Sequence, residues 1–169
     1  MGFYDTTAAG YQELYGQEQA RKARAIMAYL QQHNLISEKT RLLDVGCGPA
    51  AATALFPGIK TGIDPSLQLL KQRADKSIRL VHGVAEKLPF PDSWFDIVIS
   101  ITAVHNFKNI EQGLREIRRV GTNLYVITVL KKSSERSMIL GLIRKYFSVE
   151  TILDDQTDEI VVLRRRRVD

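Results

Sequence analysis

The sequence predicts an α/β fold: a doubly wound sheet of seven strands, mostly parallel, with an antiparallel C-terminal strand. Three observations predict it. From Thr40 onward, short apolar runs alternate with helical segments, the pattern of parallel strands joined by crossovers. A glycine-rich loop follows the first of those runs. The last two strands have no helix between them, so they pair antiparallel.

In chain order, Gln12–Gln32 has helical periodicity, with Ala23, Ile26, Met27 and Leu30 on one face and Arg21, Lys22 and Arg24 assigned to the other. Arg41–Val45 is a first strand and Ile59–Ile63 a second, ending at Asp64. Ser66 is placed to cap a helix running to about Ala74, with Leu67, Leu70 and Ala74 inward. Ile78–His82 and the β-branched run Phe95–Ile101 are the third and fourth strands. Asn109–Arg119 is an amphipathic helix with Ile110, Leu114 and Ile117 on one stripe, and Asn123–Val129 the fifth strand. Ser133 or Ser134 caps a further helix whose Ile139, Leu142, Ile143 and Tyr146 share a face. Ser148–Leu153 and Glu159–Leu163 close the chain, joined by the turn-forming residues 154–158.

A chain of 169 residues suits one well-buried domain, 1–169, divided into an N-terminal helix and lid (1–38) and a cofactor-binding core (39–169). Hydrophobic residues make up 44% and charged residues 25%, the proportions of a globular protein. No run approaches the roughly 20 apolar residues of a membrane span, and no signal-peptide layout opens the chain, so a cytoplasmic protein without membrane partners is expected. One cysteine, Cys47, excludes an internal disulfide and a multi-cysteine zinc site, and no metal is expected. The net charge of +5 favours anionic partners such as RNA or acidic metabolites, against the plain alternative of a solvated basic surface. The one charge run, Arg164–Arg167, has the same two readings: a grip on phosphates or a solvated end.

The chemistry is concentrated in Leu42-Leu43-Asp44-Val45-Gly46-Cys47-Gly48-Pro49-Ala50. Glycines at i and i+2 after a strand let the backbone turn sharply and let a ligand approach, in the crevice where open parallel sheets bind ligands. Gly46, Gly48 and Ala51 also satisfy a dinucleotide fingerprint, with Asp64 as its ribose-binding acid. Asp44 decides between the two: a carboxylate there repels a pyrophosphate and suits a cationic ligand, unless it merely caps the loop.

Asp44-Val45-Gly46-Cys47-Gly48 resembles the first motif of class I S-adenosylmethionine-dependent methyltransferases of the type-11 family. Gly62-Ile63-Asp64-Pro65-Ser66 looks like their second motif, Gly83-Val84-Ala85-Glu86-Lys87-Leu88-Pro89-Phe90 their third, and Phe95-Asp96-Ile97-Val98-Ile99-Ser100 their fourth strand, followed by Ala103-Val104-His105-Asn106-Phe107. The resemblance runs from Thr40 to about Arg167 and implies a Rossmann-like fold with S-adenosylmethionine as cofactor. It implies cofactor binding by Asp44, Gly46, Cys47 and Gly48, by Asp64 and Pro65 at the ribose and adenine, by Val84, Ala85 and Glu86 with Leu88 packing at the adenine, by Ser100 and Ile101, and by an N-terminal tyrosine, Tyr11 with Tyr4 and Tyr15 as alternatives. The chain departs from the family at Ala50, where glycine is usual, at Val84, where an Asp or Asn is common, and at Val120-Gly121-Thr122, where a Pro-Gly-Gly turn is missing.

Methyl transfer from a sulfonium is an in-line displacement in which positioning does most of the work. No Asn/Asp-Pro-Pro-Tyr/Phe stretch follows the fourth strand, and Cys47 lies in the cofactor loop, which argues against a cysteine nucleophile. His105 is the candidate general base, with a loop histidine packing on the lid as the competing reading. The expected function is methyl transfer to an oxygen or nitrogen nucleophile of a small molecule, or of RNA or protein with a small activator subunit or a homodimer. A non-catalytic cofactor-binding scaffold subunit and a nicotinamide-dependent oxidoreductase are the alternatives.

Overall fold

A computed structural model describes residues 8–167, with side chains from Glu13 onward. A seven-stranded sheet is the centre of the molecule, in the order β3-β2-β1-β4-β5-β7-β6. β1 (Arg41–Val45), β2 (Ile59–Asp64), β3 (Arg79–His82), β4 (Phe95–Ser100) and β5 (Gly121–Leu130) are parallel neighbours. β7 (Asp158–Arg165) runs antiparallel to both β5 and β6 (Phe147–Asp154). Strand order reverses between β1 and β4, which opens a crevice at the carboxyl ends of those strands.

The central strands are apolar on both faces, and successive residues feed opposite layers. Leu43, Val98, Tyr125, Ile127, Val161 and Leu163 face α3 (Ile110–Val120) and α4 (Arg136–Tyr146), meeting Leu114, Ile117, Ile139 and Ile143. Leu42, Ile97, Ile99, Val126, Ile160 and Val162 face α1 (Ala8–Gln32), meeting Ala23, Ile26 and Leu30. Asn109 caps α3, its side chain accepting from Gln112 N at 3.0 Å.

Four local expectations need correction. Lys22 is not on the solvent face of α1: it is fully buried, because it lies four residues before Ile26 on the same stripe, and its ammonium pairs with the equally buried Asp158 at 2.8 Å. α2 is one turn, Leu67–Leu70, capped by Ser66; Leu70 alone points inward, while Leu67 and Ala74 are exposed. That helix stops because the chain must reach β3 within eight residues, and Arg73 donates to the Ile78 carbonyl instead of extending the helix. α4 begins after Glu135 with no side-chain cap, Ser133 instead accepting from Glu135 N. α3 passes into β5 without a loop residue, which replaces the missing glycine turn. Among the described residues no helix is long and apolar enough to cross a membrane.

Candidate active site

A cavity of about 620 Å³ opens at the carboxyl ends of β1, β2 and β4. Its floor is the loop after β1. Gly46 N and Cys47 N both donate to the Ile63 carbonyl, at 2.8 and 3.1 Å, which pins the loop to β2. Gly46 has a φ of +80°, and a Cβ on it would lie 2.5 Å from the Ala103 Cβ, so glycine is required on both counts. Ala50 adopts φ +60°, the left-handed region that explains why glycine is usual there.

Two carboxylates set the electrostatics. Asp64, at the end of β2, receives Gly48 N on Oδ2 at 2.9 Å and Ser66 N on Oδ1 at 2.8 Å, so both oxygens are held while keeping spare lone pairs. Asp44, on β1, is buried; its Oδ2 accepts from the Thr53 hydroxyl at 2.6 Å, and its Oδ1 has no partner among the described residues. Burial pushes the Asp44 carboxyl up to about 7, with Thr53 pulling the other way and Asp64 adding repulsion. Burial likewise pushes the Cys47 thiol up, which makes it an inert packing group.

Most of the residues expected from the sequence meet at this cavity: Asp44, Gly46, Cys47 and Gly48; Asp64 and Pro65; Val84, Ala85 and Glu86; and Ile101. Tyr15 and Gln19 of α1 form the opposite wall. The side chain of Tyr11, and all of Tyr4, lie outside the described residues. Ser100 is a correction: its hydroxyl donates to the Val45 carbonyl at 2.9 Å, tying β4 to β1, because strand alternation turns it away from the side that continues to Ile101. Leu88 belongs to the hydrophobic core and does not reach the cavity. Glu86 lines the cavity, with its Oε1 accepting from Asn109 N at 3.0 Å.

His105, the candidate base, is not among the residues that line the cavity. It lies in a 3-10 turn, Val104–Asn106, where Ala103 and Asn106 share the face that lines the cavity and His105 points elsewhere. It is half-buried, its Nδ1 has no partner among the described residues, and burial lowers its pKa. Sequence reasoning missed Gln19 and Thr102. Gln19 falls four residues after Tyr15 and four before Ala23, a spacing that carried the signal. Thr102 gave none, since its φ of +51° and its bonds to Lys22 and Asp158 arise only in three dimensions.

A family model described as a methyltransferase domain matches residues 43–123, which run from within β1 to the start of β5 and carry this loop and both carboxylates. Residues 43–123 thus match a methyltransferase domain. An uncharacterized methyltransferase of Bacillus subtilis, YcgJ, is 32% identical to it over 90 residues, 47% of this chain and 36% of that protein. A demethylmenaquinone methyltransferase of Chlorobaculum tepidum is 37% identical over 86 residues, again 47% of this chain and 36% of that protein. The matches therefore span little more than a third of those relatives. In structure, the domain superposes on the putative methyltransferase of Haloferax volcanii solved with the Trm112 methyltransferase activator, with a TM-score of 0.71 at 14% identity, over 98% of this chain and 97% of that one, which establishes the shared fold. The cavity fits a cationic, phosphate-free cofactor on its own geometry: the carboxylate oxygen of Asp44 that has no partner among the described residues suits an ammonium or sulfonium.

Proposed function

We propose that the chain transfers the methyl group of S-adenosylmethionine to an oxygen or nitrogen nucleophile of a small acceptor. The observation that carries this reading is Asp44, a buried carboxylate at the cavity with one oxygen unpartnered among the described residues, which suits a cationic ligand. Asp44 and the Gly46–Gly48 backbone would hold the methionine portion, and Asp64 would accept from the ribose hydroxyls. Pro65, Val84 and Ala85 would flank the adenine through apolar contact and the Ala85 backbone N–H. The cofactor supplies an activated methyl group on a good leaving group. The protein's part is to hold the acceptor in line and keep water out, and no general base need be built in. Thr102, Ala103, Asn106 and Phe107, with Gln19 across from them, form the wall an acceptor would meet.

A small-molecule acceptor is supported by the relative that acts on demethylmenaquinone and by the absence of an insertion between β4 and β5 large enough to form a substrate domain. A small activator subunit is supported by the Trm112 complex of the Haloferax volcanii neighbour. The test is transfer of labelled methyl from S-adenosylmethionine into an extract of the source organism, fractionated into small molecules, RNA and protein. Label in the small-molecule fraction is the expected result. Label confined to RNA or protein would replace the acceptor class. Cofactor binding without transfer, even with an activator added, would fit a non-catalytic scaffold subunit.

A further inference from the structure

At the other end of the sheet, where β4 and β5 begin and β7 ends, lies a second concavity of about 470 Å³. β5 is ten residues long, so the two ends of the sheet stand about 30 Å apart. Four arginines line this concavity, Arg115, Arg118, Arg119 and Arg165, against two carboxylates, Asp92 and Glu116. Both carboxylates are taken by one arginine. Arg119 donates to Glu116 from Nε at 2.7 Å and from Nη2 at 2.9 Å, and to Asp92 from Nη1 at 2.8 Å.

The other cations have no acidic partner in the concavity. Arg118 donates to the Tyr146 and Arg166 carbonyls, each at 3.1 Å. Arg165 donates to the Thr122, Arg118 and Gly121 carbonyls at 2.7–3.0 Å. These bonds to carbonyls use Nε and Nη2 of each guanidinium, and Arg165 also lies against the Tyr125 hydroxyl. Arg115 is exposed, and Glu111 on the preceding turn feels its charge.

Capping of helix C-termini accounts for part of this arrangement, because the Arg118 and Tyr146 carbonyls belong to the last turns of α3 and α4. It does not account for the charge. The negative ends of two helix dipoles amount to about half a charge each, while the arginines exceed the carboxylates by two, so the concavity keeps a positive surplus. Arg118 and Arg165 are also half-buried and fixed by backbone acceptors, so their guanidinium groups are pre-aligned and lose little freedom on meeting an anion. Arg166, whose carbonyl accepts from Arg118, is exposed beside it, and its guanidinium is likewise bonded to a carbonyl, that of Arg144. Arg164 takes no part, being paired with Glu150.

We propose that this arginine-lined concavity is a phosphate-binding site, separate from the cofactor cavity. The ligand chemistry is a phosphate mono- or diester, whose oxygens match the planar guanidinium forks. Its source is either a free phosphate compound or the backbone of an RNA.

The experiment titrates the full chain with inorganic phosphate, and separately with a single-stranded RNA 12-mer of mixed sequence, while following the arginine Nε–H resonances by NMR. Arg115→Glu reverses an exposed charge without touching a carbonyl cap, and Arg165→Lys keeps the charge but removes the fork. Phosphate should shift the Arg118 and Arg165 resonances, and Arg115→Glu should weaken that binding about tenfold with S-adenosylhomocysteine affinity unchanged. If RNA is the source, it should perturb the same resonances at far lower concentration, with a log–log salt slope that falls by about one in Arg115→Glu. If neither probe perturbs these arginines, or if binding is the same in Arg115→Glu and Arg165→Lys, the site does not exist.

Discussion

Asp44 shows how one buried atom sets both the use and the cost of a site. Unfolded, its carboxyl ionises near the ordinary aspartate value; folded, burial raises it to about 7. The ligand-free fold therefore loses stability as pH rises from about 4 to about 7, because only the unfolded chain ionises freely over that window. A cationic ligand wants the ionised form, so S-adenosylhomocysteine affinity should fall as pH is lowered through about 7. Asp44→Asn should stabilise the ligand-free protein at pH 8, by chemical denaturation, while weakening the ligand and flattening its pH profile in calorimetry. A ligand affinity unchanged in that variant would remove Asp44 from the site. Asp64→Ala should cost about 2–3 kcal/mol of ligand affinity, the scale of charge-assisted hydrogen bonds. His105→Ala should leave S-adenosylhomocysteine affinity and methyl transfer close to wild type, since His105 is turned out of the cavity wall. A large loss of turnover there would show that the 3-10 turn rearranges on acceptor binding.

At the scale of elements, α1 is fastened to the sheet by ions as well as by its apolar stripe. Lys22 bonds Asp158 and the Thr102 hydroxyl, at 2.8 and 2.7 Å, and Asp158 also accepts from the hydroxyls of Thr102 and Thr128. Burial works against the Asp158 charge, but the Lys22 ammonium and the hydroxyls overcome it and hold Asp158 below the ordinary range. Its stabilising contribution is therefore present above the ordinary aspartate value and is lost as pH falls through the depressed one. Lys22→Met leaves a buried carboxylate without its cation and should destabilise the fold by about 3–5 kcal/mol in urea unfolding. Nearer wild-type stability would mean that water reaches Asp158 once the lysine is gone. Thr102 stands at φ +51° where this network meets the cavity, so the same contacts that seat α1 also shape the wall beside Ala103.

For the whole molecule, the two apolar layers depend on the sheet being covered from both sides. Without α1, Leu42, Ile97, Ile99, Val126 and Val162 would be open to water. A chain beginning at Ser37 should bind a hydrophobic dye and lose its sharp unfolding transition; cooperative unfolding of that fragment would mean α1 is an accessory rather than part of the core. The two ends of the sheet also differ in character: one holds a cavity with buried carboxylates, the other a concavity of surplus arginines.

The sequence by itself determined the order of the elements, the antiparallel ending and the loop with its two carboxylates. These are local signals: β-branched runs, a strand followed by glycines at i and i+2, and an acid at a strand end. The tertiary structure alone decided which polar side chains are buried and where they aim. Lys22 reads as surface charge on a helical wheel until Asp158, 136 residues later, arrives beside it. His105 reads as a base beside the cavity until a 3-10 turn rotates it away, and Ser100 as a cofactor contact until strand alternation sets it against Val45. A strand's alternation and a helix's stripe are written in spacing, but the partner that makes burying a charge tolerable comes from a distant strand, and no local pattern encodes that meeting.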